Sequence, residues 1–282
     1  ESEFPALVQF LQAAMEMGVN AFLVQDLGVL RLIRRMSPDV PVHASTQMTI
    51  HTPEGAHWAK QHGISRVVVS RELSREEIAA VCQTGVEVET FVHGALCMSV
   101  SGQCGLSAVI GSRSANRGRC AQACRLPFSA KGAKNVCALS LKDLCLVPYL
   151  AELAQDGVAS LKIEGRCKRP EYVAAAVTAL VQARAGEEPD LDTLRAVFSR
   201  SGFTDGYYNG KRQQMFGTRQ KEDVLQAKEV LPHLAQLYQK PTPQIALTMD
   251  VRVQTGEPAV LTLRDADGNC VTVSGETVQP AR

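Results

Sequence analysis

Short β-branched, apolar runs alternate with amphipathic stretches through the first two-thirds of the chain, and this rhythm constrains the fold more than any other feature. Strands are predicted at Ala21–Gln25, Val42–Ser45, Arg66–Ser70, Glu87–Val92, Val136–Leu139 and Ser160–Ile163. Helices are predicted at Pro5–Met17, Leu27–Met36, Pro53–Gln61, Arg75–Gln83, Cys145–Gln155 and Pro170–Arg184. Ser74 followed by Glu77 makes a capping box, and Pro170 suits a first helical turn. Repeated β-loop-α units build a parallel sheet with helices outside it. No Gly-rich dinucleotide fingerprint follows any strand, which favours a TIM-like (β/α) barrel over a doubly wound sheet. Five or six barrel strands are legible, fewer than the eight that close a barrel. The fold expected is α/β, a TIM-like (β/α) barrel lacking its first strands. Residue 1 is Glu, with no initiator Met or targeting segment, so the chain reads as an internal piece of a longer protein.

The pattern changes at Glu187. Leu191–Arg200 and Lys221–Tyr238 read as helices around a Gly- and Tyr-rich loop, Ser201–Gly217. After Pro241-Thr-Pro243 apolar and polar residues alternate through Ile245–Val253, Val260–Leu263 and Val271–Val273. Thr255-Gly-Glu-Pro258 and Asp265-Ala-Asp-Gly-Asn269 supply the turns, the second being a hairpin turn rather than a calcium loop, since it lacks flanking helices and the distal Glu. The expected organisation is a partial barrel over 1–186 with a cysteine-rich insert at 94–142, a helical extension over 187–240, and the start of a small antiparallel β module over 241–282.

Nine cysteines without a secretion signal argue against a disulfide framework. Four of them fall within Cys97–Cys124, as Cys97-x6-Cys104-x15-Cys120-x3-Cys124, among glycines at 94, 102, 105, 111 and 118. Glycines let backbone wrap a compact object, and four thiolates are a full ligand set for zinc or an iron–sulfur cluster. The spacing lacks the paired C-x2-C of zinc ribbons; ordinary reduced thiols and a reactive cysteine are the other readings. A helix opened by Cys120 would set Cys120 and Cys124 on one face. Net charge is only +1, yet Gly94–Lys142 holds seven basic residues and no acid. Such a lobe could offset thiolate charge or meet nucleic-acid phosphate.

The segment Glu89-Thr-Phe-Val-His-Gly-Ala-Leu-Cys97-Met-Ser-Val-Ser-Gly-Gln-Cys104-Gly-Leu-Ser107 resembles the signature of the family named peptidase U32. His43-Ala-Ser-Thr-Gln-Met48, Asn116-Arg-Gly-Arg-Cys-Ala-Gln-Ala-Cys-Arg125, Ser140-Leu-Lys-Asp-Leu144, Leu161-Lys-Ile-Glu-Gly-Arg166 and Glu171-Tyr-Val173 extend it, so that it covers roughly residues 15–185. The β module after Pro243 resembles the C-terminal domain of the branch that includes ribosomal-RNA cytidine hydroxylases. The resemblance implies a TIM-like barrel whose cysteine-rich insert holds a [4Fe–4S] cluster. It implies oxygen-independent hydroxylation of an RNA base, with prephenate as donor. Carried over by position, the cluster ligands are Cys97, Cys104, Cys120 and Cys124, with Cys137 the alternative for the fourth.

Barrel catalytic groups stand at the C-terminal ends of strands. Gln25, Asp26, Ser45, Gln47, Ser70, Arg71 and Glu89 lie there, and His43, His93, Lys162 and Glu164 are taken as the catalytic candidates. Lys162 and Glu164 alternate on one strand and point to one side. RNA contacts are expected from Arg113, Arg117, Arg119, Arg125 and Arg166. Peptidase chemistry, the second reading, finds no H-E-x-x-H and no G-x-S-x-G. A non-catalytic RNA-binding protein with a structural cluster is the third. No apolar run approaches the ~18–20 residues of a membrane span, so a cytoplasmic protein is expected, with no membrane or DNA partner.

Overall fold

The computed structural model describes residues 2–130, 132–239 and 245–280. Lys131, one of the basic residues of the cysteine lobe, and the boundary read at Pro241–Pro243 lie outside them. The chain divides into two compact units, Glu1–Ala235 and Gln236–Arg282.

In the first unit strands and helices alternate as the sequence rhythm requires. α1 (Phe4–Glu16) precedes β1 (Phe22–Val24), α2 (Leu27–Met36), β2 (Val42–Ala44), α3 (Pro53–Gln61), β3 (Arg66–Val68), α4 (Arg75–Cys82) and β4 (Glu87–Ala95). Local chemistry starts the helices. The Asp26 carboxylate caps α2 by accepting from the Val29 N–H at 2.9 Å. Ser74 and Glu77 close the expected capping box on α4. β1, β2, β3 and β4 pair in parallel order, and β8 (Ser160–Ile163) adds in parallel to the other edge of β4. Val42, Ala44, Val67, Val68, Val88 and Val92 of this sheet pack into one core with Leu30 and Ile33 of α2, Ala56 and Ala59 of α3, and Ile78 and Val81 of α4.

Between β4 and β8 lie α5 (Leu106–Gly111), a hairpin of β5 (Phe128–Ala130) and β6 (Ala133–Val136), β7 (Asp143–Cys145) and α6 (Leu150–Gln155). Two expectations are corrected here. The strand read at Val136–Leu139 is displaced to β6 and β7. The helix read from Cys145 starts at Leu150, because Asp143–Cys145 pairs antiparallel with His93–Ala95 of β4. α7 (Pro170–Arg184), α8 (Leu191–Val197) and β9 (Phe203–Thr204) follow, and the unit ends within α9 (Lys221–Gln239). Tyr172, Ala175, Ala176 and Ala179 of α7, Leu194 and Val197 of α8, and Leu234 of α9 form a second apolar cluster.

Among the described residues the strands form an open sheet and do not establish the TIM-like barrel. Five strands run parallel, whereas closure takes eight. Past β3 the edge of β4 is taken by the antiparallel β7, which in turn carries β9.

The second unit is the expected antiparallel module: β10 (Leu247–Arg252), β11 (Pro258–Asp265) and β12 (Cys270–Thr277) in sequence order. The Asp265 carboxylate accepts from the Asp267 and Asn269 N–H groups at 3.0 and 2.8 Å, making the hairpin turn. Among the described residues no helix is long and apolar enough to cross a membrane.

Candidate functional site

The cysteine lobe leaves the sheet at the end of β4. Gly94 has φ +121°, and a Cβ there would stand 2.7 Å from the Glu164 carbonyl oxygen and from its Cβ, so only glycine lets β4 turn out beside the end of β8. Cys97 follows this turn, Cys104 precedes α5, Cys120 lies in irregular chain, and Cys124 sits in a single 3-10 turn, Ala123–Arg125. The helix expected to open at Cys120 is therefore absent. The Gly-rich stretch before it turns instead through left-handed Gly118, and Gln122 is left-handed as well.

Long-range contacts bind the lobe to the sheet. Thr49 donates its hydroxyl to the Ser101 carbonyl at 2.6 Å, and Ser101 donates to the Glu72 carboxylate at 2.9 Å. Gly102 rests on the Gln47 backbone, where a Cβ would stand 2.6 Å from the carbonyl oxygen. The Arg125 guanidinium donates to the carbonyls of Leu96 and Leu141 at 2.5 and 2.6 Å and to the Ser140 hydroxyl at 3.0 Å. All four cysteines consequently line one cleft of about 320 Å³, together with Thr46, Gln47, Arg71, Ser107 and Asn116. Cys137 is not part of its lining.

Burial pushes the Cys97 thiol up. The Ser99 backbone opposes that, Cys124 and Cys104 add to it, and Arg71 opposes it. Cys120 Sγ accepts from the Gln122 N–H at 3.3 Å, and the Ser107 hydroxyl reaches it at 4.0 Å. Among the described residues no three His, Cys, Asp or Glu side chains converge on a point that could hold a single metal ion.

Three of the four catalytic candidates stand in one row of charges and rings that runs from the sheet to the cleft. Glu89 accepts from Lys162 at 2.5 Å and from the Ser160 hydroxyl at 3.1 Å, with Arg66 at 3.5 Å. Burial alone would raise the Glu89 carboxyl, but Lys162, Ser160 and Arg66 hold it below its ordinary range. His43 lies within the field of these groups; burial, then Arg66, push it down. The Phe91 ring is the next rung, with Lys162 Nζ 5.8 Å and Arg71 Cζ 4.0 Å from its centroid. Arg71 pairs with Glu164 at 3.0 Å and lines the cysteine cleft. Lys162 and Glu164 do not pair with each other; each holds a different cation or carboxylate of the row.

His93 stands apart. It is fully buried between Tyr172 and Phe203, at centroid distances of 5.6 and 5.2 Å, and neither ring nitrogen makes a hydrogen bond. Burial pushes it down to about 4.

The arginines divide as well. Arg113 and Arg119 are exposed on the lobe, and exposed Arg117 pairs with Glu3 at 2.8 Å. Arg166 is exposed and lies against Gly118, where a Cβ would meet its guanidinium at 2.8 Å. Arg125, read from the sequence as an RNA contact, spends its donors on Leu96, Leu141 and Ser140 and acts as a bracket between the lobe and the sheet. Arg71 joins the site as a wall of the cleft. Its place at a strand end is legible in the sequence; its partnership with Glu164 is not.

The family described as Peptidase family U32 matches residues 1–217. The chain belongs to that family. It is similar to the 23S rRNA 5-hydroxycytidine C2501 synthase of Escherichia coli K12, at 44% identity over 163 residues, covering 55% of this chain and 24% of that one. It is 34% identical over 248 residues to tRNA hydroxylation protein P1 of Bacillus subtilis 168, covering 77% and 57%. It is 33% identical over 233 residues to a collagenase of Porphyromonas gingivalis W83, covering 72% and 55%. The chain thus spans about half or less of the length of these relatives.

Proposed function

We propose that this U32 chain belongs to an oxygen-independent RNA base hydroxylase, with a [4Fe–4S] cluster held by Cys97, Cys104, Cys120 and Cys124. The observation that carries this reading is that the four cysteines line one cleft although up to 27 positions separate them in the sequence. The donor set fits the group. Four thiolates are the ligand set that such a cluster takes, and Cys97, Cys104, Cys120 and Cys124 would hold it. The Gln122 N–H and the Ser107 hydroxyl aimed at Cys120 are the kind of donors that offset thiolate charge. Arg71 adds a fixed positive charge at the same wall.

When bound, the cluster supplies one-electron chemistry at the cleft. The chain's own residues do the rest. Gln47 and Asn116 offer amide groups to the edge of a base turned out of its stack. Arg71, in the cleft wall beside Phe91, is the cation for an anionic donor such as prephenate. Arg113, Arg117, Arg119 and Arg166 meet RNA phosphates. The RNA hydroxylation named for two relatives supports the reaction class. The proposal includes a cytoplasmic location, where an RNA substrate is met.

The collagenase name of a third relative supplies the competing reading. The lining of the cleft contains no histidine and no carboxylate to serve as base for a nucleophile. The test is anaerobic incubation of the chain with ribosomal and transfer RNA plus prephenate, followed by nucleoside mass spectrometry. A hydroxylated pyrimidine that disappears with Cys97→Ala is expected. Hydroxylation untouched by Cys97→Ala, or gelatin digestion that survives loss of all four cysteines, would overturn the reading.

A further inference from the structure

Phe198, just after α8, is surrounded by cations. Lys168 Nζ lies 3.0 Å from its ring centroid, Arg219 Cζ 4.4 Å and Arg200 Cζ 5.0 Å. They come from three separate segments: the loop between β8 and α7, the chain leaving α8, and the approach to α9. A ring face attracts a cation placed over it. Three positive charges gathered on one ring repel each other, and the ring does not cancel that repulsion.

Asp143 and Glu164 attract Lys168, while Arg200 and Arg219 repel it. Asp143 is buried and committed to Arg200 at 2.6 Å, and Glu164 is committed to Arg71 at 3.0 Å. Among the described residues neither Lys168 nor Arg219 belongs to an ion pair. Arg200 is therefore the fixed member, its guanidinium locked from below by Asp143. Lys168 and Phe198 are half-buried and Arg219 is exposed, so the cluster is open to solvent.

We infer that Lys168, Arg200 and Arg219 form a phosphodiester clamp around Phe198, an RNA-backbone contact outside the cysteine lobe. A phosphate there accepts from the guanidinium fork and the ammonium together and relieves their repulsion. The location suits an extended strand. Arg166, on the same loop as Lys168, rests on Gly118 of the lobe, so this loop links the clamp to the basic lobe. The occupant rests on the RNA reading above; the anion chemistry of the clamp does not.

The test compares the wild type with the double variant Lys168→Gln/Arg219→Gln, leaving Arg200 in place to cover Asp143. Two probes are used: a fluorescein-labelled single-stranded RNA titrated at several salt concentrations, and inorganic phosphate read by thermal shift at constant ionic strength. The clamp predicts weaker RNA binding in the double variant, with a log–log salt slope shallower by about 0.7 for each phosphate that the variant no longer neutralises. It also predicts that phosphate stabilises the wild type and not the variant, while both unfold alike in chloride. Wild-type RNA binding with an unchanged slope in the variant overturns the clamp and leaves the RNA reading standing. A wild type that binds no RNA but loses phosphate stabilisation in the variant overturns the RNA occupant and retains an anion site.

Discussion

Arg71 and Glu164 meet at 3.0 Å across the ends of β3 and β8, with the Arg71 guanidinium stacked 4.0 Å from the centroid of Phe91. The pair joins the charged row of the sheet to the wall of the cysteine cleft. Replacing one member of a largely buried pair leaves the other charge uncompensated, at a cost of about 1–3 kcal/mol. Glu164→Gln should lower the unfolding free energy measured in urea by that amount, and with it the midpoint. An unchanged midpoint would mean that Phe91 alone holds Arg71.

Gly94 sets the turn that delivers Cys97. Gly94→Ala puts a Cβ 2.7 Å from the Glu164 carbonyl at a left-handed φ of +121°. It should destabilise the fold by about 1–3 kcal/mol or give insoluble protein. Gly105→Ala, with φ −93° and no atom within 4 Å of the new Cβ, is the control and should behave as wild type. Equal stability of the two variants would contradict this role for Gly94.

Arg125 and Arg117 are both arginines of the cysteine lobe with different work. Arg125→Ala strands the buried Leu96 and Leu141 carbonyls and should cost about 1–3 kcal/mol in denaturant unfolding. Arg117→Ala removes only an exposed pair with Glu3, so thermal unfolding should be unchanged while the salt slope of RNA binding falls. The reverse pattern, with Arg125→Ala stable but weak in RNA binding, would make Arg125 a phosphate contact and not a bracket.

His93 gives the fold an acid sensitivity. Burial holds it neutral down to about 4, whereas the unfolded chain takes up that proton near 6.5. The folded pKa is the lower one, so its full contribution is present above 6.5 and is lost as pH falls toward 4. The loss is about 1.4 kcal/mol for each pH unit within that window. His93→Phe keeps the ring packing against Tyr172 and Phe203 and removes the titration. Urea unfolding at about pH 7 and about pH 5 should show a smaller acid loss in the variant than in the wild type. Equal losses would show that His93 is protonated in the folded protein.

What is legible in the sequence is what is local. Ser74 and Pro170 mark helix starts because caps act within one turn. The cysteines advertise one site because they crowd into a single loop. The apolar run Leu144–Val147 fits a strand or a helix equally, and only pairing with β4 decides it. Arg125 looks like any other basic residue of its lobe until the distant carbonyls of Leu96 and Leu141 close around it. Arg71 and Glu164 are 93 positions apart, and the cations around Phe198 come from three segments. The β-loop-α rhythm sets strand direction and not how an incomplete set of strands curves, and the described strands form an open sheet.

The central claim is that the four cysteines hold an iron–sulfur cluster, and the most direct measurement is iron and acid-labile sulfide on protein purified without oxygen, with its visible spectrum. The account predicts about four irons and four sulfides per chain, lost in Cys97→Ala and retained in Cys137→Ala. Stoichiometric zinc, or no metal with the fold intact, would contradict it.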